Sequence, residues 1–111
     1  MTEGLLSERG PILELYRGDV LLAVLSNVQL FDWPWYCCQF QPTPAFESYR
    51  PLFDEELELL EGKGATEEWD AAYENIENLG LTLSYPDQGK ATRLFLLHID
   101  GETAKFKAIF D

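Results

Sequence analysis

The spacing of apolar positions runs from two to three-or-four and back to two along this chain, and each change marks an element. "ILELYRG" (12–18) alternates after Pro11 and predicts a short strand. "DVLLAVLS" (19–26) is nearly all apolar, where periodicity alone does not separate strand from helix. Its short length and the β-branched Val20 and Val24 point to strand. "WYCCQFQ" (35–41) predicts the next strand, with Tyr36, Cys38 and Phe40 on one face and Trp35, Cys37 and Gln39 on the other. Pro34 lacks an N–H and so belongs at the strand's start. Asn27 to Pro34 then reads as a long connection ending in an aromatic cluster.

The period then becomes helical. In "TPAFESYRPLFDEELELLEG" (43–62), Thr43 is a candidate cap and Pro44 suits a first helical position. Pro51 predicts a kink or break near Arg50. Phe46, Tyr49, Phe53, Leu57 and Leu60 form the expected buried face, and Gly62 the expected end. "TEEWDAAYENIENLG" (66–80) is the clearer helix, with Thr66 capping and Glu67 and Glu68 at the positive end of the dipole. Its core face is Trp69, Ala72, Tyr73, Ile76 and Leu79, and Gly80 is its stop signal.

Alternation returns at Leu81, Leu83 and Tyr85, followed by a "PDQG" turn. "TRLFLLHI" (92–99) is apolar on both faces, as expected of a central strand. Asp100-Gly101 reads as a two-residue hairpin turn, which would set His98 opposite Thr103. "ETAKFKAIF" (102–110) returns with Ala104, Phe106 and Ala108 inward and Lys105 and Lys107 outward. The β-β-β-α-α-β-β-β order predicts an α+β fold: an antiparallel sheet of about five to six strands with two central helices packed on one face. Residues 1–111 read as a single domain, with residues 1–10 frayed.

Composition narrows the function classes. Aromatic residues are 14% of the 111, enough to build a core without disulfide or metal. The net charge of −12 disfavours nucleic acid and anionic membrane surfaces, both of which need clustered cations. Within residues 44–79, eleven acids face two bases, a net of −9. Glu67, Asp70, Glu74 and Glu77 fall on one stripe of the second helix, and Asp54, Glu58 and Glu61 on one stripe of the first. Such stripes are either solvated faces or a docking face for a basic protein. No apolar run approaches the roughly 20 residues of a membrane span, and "MTEGLLSERG" is too acidic for a secretory signal. The adjacent Cys37 and Cys38 read as free thiols, which points to the cytoplasm.

Candidate chemistry is sparse. His98 is the only histidine, and Cys37 the only thiol expected to be accessible. Neither has a partner for general-base, nucleophilic or zinc chemistry in the spacing of the chain. No Gly-rich phosphate loop or serine-nucleophile motif is present, so no catalytic residue, metal or cofactor is expected. In "FDWPWYCCQF" (31–40), Tyr36, Cys38 and Phe40 are expected in the core. Trp33 and Trp35, flanking Pro34, are expected at an interface, where tryptophans concentrate binding energy.

The Asp32-to-Trp35 start of that strand, together with "QPTPAFESYRPLFDEELELLE", resembles a family of small bacterial proteins of uncharacterised function, over residues 30–61. The resemblance implies no activity and no site residues. The expected function is a small acidic, non-enzymatic module that binds another protein through Trp33, Trp35, Glu67, Asp70, Glu74 and Glu77. An inhibitor or immunity-like protein for a basic partner has this physical character. Two alternatives stand beside it: a small enzyme or ligand-binding protein with a pocket near His98, and a protein that homodimerises through the aromatic strand.

Overall fold

A computed structural model describes residues 11–110; the fraying expected of residues 1–10 lies outside them. The fold is α+β, and its sheet has seven antiparallel strands. They are β1 (Leu13–Arg17), β2 (Val20–Asp32), β3 (Trp35–Pro42), β4 (Leu81–Tyr85), β5 (Lys90–Thr92), β6 (Phe95–Asp100) and β7 (Thr103–Ala108). Their order across the sheet is β5-β4-β1-β2-β3-β7-β6. A 3₁₀ turn (Pro44–Ser48) leads into α1 (Arg50–Lys63), and α2 (Glu67–Glu77) follows. The break falls where Pro51 requires it, in the first turn of α1, where no N–H is missed.

β2 is the middle strand, and its irregularities shape the sheet. Leu15 pairs with Ala23 but Tyr16 pairs with Leu21, so Leu22 is an extra residue. That bulge lets Leu22 and Ala23 both be buried, which is why "DVLLAVLS" does not alternate. A second shift lies between Ser26 and Gln29, where Asn27 takes φ +55°. A third lies between Leu30 and Asp32. Bulges raise local twist, and three along one central strand curl the sheet.

The curl is nearly complete. β5 and β6 are the two opposite edges of the sheet, yet only Arg93 and Leu94 join them. Three peptide steps from Thr92 to Phe95 span at most about 11 Å, so the edges approach to that distance at this end. Inside the curl lie Leu13, Leu15, Leu25, Phe40, Leu83, Leu97, Ile99 and Phe106. The helices bury Phe46, Phe53, Tyr73 and Ile76 against them. Phe46 meets Phe40 edge-on with 5.0 Å between centroids, and Phe53 lies 5.6 Å beyond Phe46.

Several expectations change. The connection from Asn27 to Pro34 is strand as far as Asp32, because bulges absorb the residues that break the alternation. "TRLFLLHI" splits at Arg93-Leu94, which yields β5 and raises the strand count to seven. β6 is an edge strand, not a central one. It is apolar on both faces because the helices wrap its free side, where the Leu97 N–H donates to the Tyr73 hydroxyl at 2.8 Å. The hairpin turn is Gly101-Glu102, with φ +63° at Gly101, so His98 faces Lys105 rather than Thr103. The Thr43 hydroxyl caps no helix; it donates to the carbonyls of Leu21 and Leu22 and pins the bulge. α1 runs past Gly62 to Lys63 and ends at Gly64, whose φ is +80°. α2 starts as expected, with Thr66 Oγ1 accepting from the Trp69 N–H.

Phe53 is fully buried between Phe46 and the sheet. Phe53→Ala is expected to destabilise the fold by about 3–5 kcal/mol in chemical denaturation, as buried aromatic truncations do. An unchanged midpoint would mean that α1 presents another face to the sheet.

Candidate functional site

Two arrangements of side chains stand out, one buried and one exposed, and Trp35 joins them. The buried one centres on Glu56, the third residue of α1 after Phe53 and 0% exposed. The Trp69 Nε1–H of α2 donates to Glu56 Oε1 at 2.7 Å. His98 Nδ1 of β6 lies 3.0 Å from Oε1 and 2.9 Å from Oε2. Both carboxyl oxygens thus lie within hydrogen-bond distance of the same ring nitrogen. Trp35 stacks on the His98 ring at 5.3 Å with 24° between planes, while Trp69 and Tyr73 flank it at 6.3 Å each. Lys107 places its ammonium 5.3 Å from the Trp35 ring centre.

The register explains why these groups meet. His98, Lys105 and Cys37 are successive cross-strand partners on β6, β7 and β3, and Trp35 follows two residues from Cys37 on the same face. This is the outer face of the curled sheet, opposite to Leu97 and Ile99. The helices reach it by wrapping the β6 edge. Glu56 was hidden in the chain by its company: it sits three residues from Phe53 and four from Leu60, on the apolar stripe of α1. An acid on an apolar stripe, with a histidine and a tryptophan elsewhere to receive it, was the available signal.

Chemically, a carboxylate that fixes an imidazole through Nδ1 is how a general base is oriented. Here Trp35 lies over the ring, and the His98 side chain is 12% exposed. Lys105 stands between His98 and Cys37. The geometry therefore ties helices to sheet more directly than it prepares a nucleophile. Cys38, on the inner face, donates to the Ala104 carbonyl at 3.7 Å. Burial, then the neighbouring Cys37, pushes its thiol up to about 12.

The exposed arrangement is a groove of about 540 Å³ beside the Trp33-Pro34 turn. Its apolar floor is Trp33, Pro34, Leu94, Leu96 and Ile109, and its rim carries Glu77, Arg93 and Lys107. Trp33 is 75% exposed, and Leu94 and Ile109 are more than half exposed. Glu67, Asp70, Glu74 and Glu77 line one shallow concavity along α2, so the four acids do form one face. Glu77 belongs to both concavities and makes the acidic face continuous with the groove.

Of the residues expected at a site, the structure brings together Trp33 with Glu77, and through Glu77 the other three acids of α2. Trp35 is set apart from them: it is half-buried on His98, with Lys107 above it. Leu94, Ile109 and Arg93 were not singled out in the chain, because the groove arises only where the β5–β6 crossing meets the end of β7. Comparison with protein-family models, with curated proteins and with solved structures finds no match to this chain.

Removing one partner of the buried pair leaves the other charged or unsatisfied in the core. Glu56→Ala is expected to cost about 3–5 kcal/mol, whereas Glu56→Met combined with His98→Phe is expected to recover much of it. Urea denaturation of the three proteins checks this, and equal loss in the single and double variants would refute a pairwise tie.

Thiol chemistry separates the two cysteines. An unfolded thiol ionises near about 8.5, while Cys38 in the fold holds its proton up to about 12. Native stability contributed by that proton is thus present below about pH 8.5 and is lost as pH rises from there towards 12. At pH 8, a disulfide reagent is expected to label Cys37 in the native protein and Cys38 only on unfolding. Rapid labelling of both thiols in the native state would show that Cys38 is accessible.

Proposed function

We propose that this protein is a cytoplasmic, non-enzymatic module that binds another protein, with the groove at Trp33 and the acidic face of α2 forming one docking surface. The continuity of apolar groove and acidic face through Glu77 carries the reading. A partner suited to it presents an apolar side chain to Trp33, Leu94 and Ile109, and a basic stretch to Glu67, Asp70 and Glu74. Inhibition of that partner, in the manner of an immunity protein, is the activity that so small and acidic a surface fits. No helix among the described residues is long and apolar enough to cross a membrane.

The charges are arranged for this. Within 4 Å, the ion pairs among the described residues are Arg50–Glu47 and Lys63–Glu68, and His98 contacts Glu56. The acids of the α2 stripe enter none of them. Cations of the sheet turn to aromatic rings instead: Lys105 lies 4.5 Å from the Phe31 ring centre and Lys107 lies over Trp35. Glu67, Asp70 and Glu74 are thus left for an external cation to neutralise, while Glu77 shares the groove with Arg93.

Exposed carboxylates act over about 8 Å at physiological salt and mainly raise association rates, whereas a desolvated tryptophan acts at contact. Partners captured from source lysate are to be measured by surface plasmon resonance at two salt concentrations. Neutralising the stripe (Glu67→Gln, Asp70→Asn, Glu74→Gln, Glu77→Gln) is expected to slow association and flatten its salt dependence. Trp33→Ala is expected to speed dissociation about 30-fold, the equivalent of about 2 kcal/mol, with association nearly unchanged. Partners that bind both variants as they bind the parent protein would defeat the proposal. A parent protein that sediments as a dimer, with Trp33→Ala monomeric, would assign the groove to a second copy of this chain instead.

A further inference from the structure

We infer that the mouth of the curled sheet, at the end the helices leave uncovered, binds a small uncharged planar aromatic molecule of one or two fused rings. A cavity of about 220 Å³ opens there, lined by Leu13, Val28, Tyr36, Tyr85, Phe106 and Phe110 among others. These side chains come from β1, β2, β3, β4, β7 and the segment after β7, so the site belongs to the curled sheet as a whole. It is separate from the groove beside Trp33, with which it shares only Ala108.

The helices explain why the mouth is empty of their side chains. Phe46 and Phe53 fill the concave side from the Phe40 end. Along β3 the inward positions then run Phe40, Cys38 and Tyr36, and Tyr36 is the one that reaches the cavity. Across the opening, Tyr85 and Phe110 meet edge-on at 5.9 Å and 65°, which joins the β4 side of the sheet to the end of β7. Mouths of curled or closed sheets are recurrent ligand sites, because inward side chains line them without a backbone rearrangement.

Size, shape and charge select the ligand. An apolar cavity of about 150 Å³ holds benzene, so 220 Å³ accommodates a fused bicycle. Tyr36 and Phe106 stack on one another, 5.7 Å apart at 22°, and a planar ring can extend that stack. Among the described residues the lining holds no acid and no base, so a charged ligand would lose its hydration without a counter-charge. The Tyr36 and Tyr85 hydroxyls make no hydrogen bond among the described residues, and neither is a buried unsatisfied group. Both therefore reach solvent at the rim, where a ring N–H or hydroxyl of the ligand can meet them.

Indole is the probe, titrated into the full chain by calorimetry. Saturable binding is expected with Kd between about 10 µM and 1 mM, the range open to a ligand of so few atoms. Val28→Phe fills the cavity and is expected to weaken indole at least about tenfold, with far-UV circular dichroism unchanged. If that variant does not fold, Leu13→Phe serves the same purpose from β1. Trp33→Ala, in the other concavity, is expected to leave indole affinity as it was, and indole-3-acetate is expected to bind more weakly than indole. No saturable binding up to millimolar indole overturns the inference. So does indole binding that Trp33→Ala abolishes and Val28→Phe spares, or tighter binding of the anion than of indole.

Discussion

The structure depends on one buried carboxylate. Glu56 has no exposed surface, and its two oxygens are held by a tryptophan of α2 and a histidine of β6. A charge in that position is unfavourable unless it is paired and hydrogen-bonded, so the pairing dictates the geometry around it. α1 must present residue 56 inward, α2 must set Trp69 beside it, and β6 must turn His98 out of the curl and under the helices. Apolar contacts supply most of the free energy of burial, but they are tolerant of small slides. The Glu56 bonds are directional, and they fix the register of two helices against one strand. Tyr73 adds to this by accepting from the Leu97 N–H at the free edge of β6.

The same cluster carries the constraint outward. His98 supports Trp35 by stacking, and Trp35 supports Lys107. Trp35 begins β3 and pairs with Asp32, so the two-residue turn between them, Trp33-Pro34, is held from below. Trp33 can stand 75% exposed because its neighbours on both sides are anchored. The distinction between Trp33 and Trp35 follows from strand alternation together with this stack: one tryptophan stands exposed at the groove, and the other braces the turn that presents it.

Much of the architecture was legible in the chain. The alternation of Tyr36, Cys38 and Phe40, the Thr66 cap and the inward set Ala104 and Phe106 all follow from local period and local chemistry; α2 itself stops earlier than Gly80, at Glu77 with Asn78 as its cap. What escaped was non-local. Leu22 as a bulge residue depends on pairing with β1 and on the Thr43 hydroxyl, some twenty residues away. β6 looked central because both its faces are apolar, and only the wrapped helices show that an edge strand can be so. Glu56 looked like one more acid in "DEELELLE", since nothing in that segment says that His98 and Trp69 will meet it. For the candidate surface, the exposure of Trp33 and the common face of the α2 acids could be read from residue type and spacing, whereas Leu94 and Ile109 join them only through the crossing between the two sheet edges.

The separation of charge within the fold bears on function. Helices α1 and α2 carry half of the acids, and self-repulsion between their stripes opposes the compact state. A protein under selection for stability alone could relieve this by placing Lys105 and Lys107 opposite those stripes. They instead rest on aromatic rings of the sheet, while Arg93 lies beside Glu77 and Gly80 at the end of α2. A polarised surface results: carboxylates along α2, an apolar strip from Trp33 to Ile109, and Lys105 and Lys107 beyond it. On the proposed function, such an order of acid, apolar and base would fix the orientation of an incoming chain, because reversing that chain would bring like charges together. The groove would then supply contact energy, and the charges on either side of it direction.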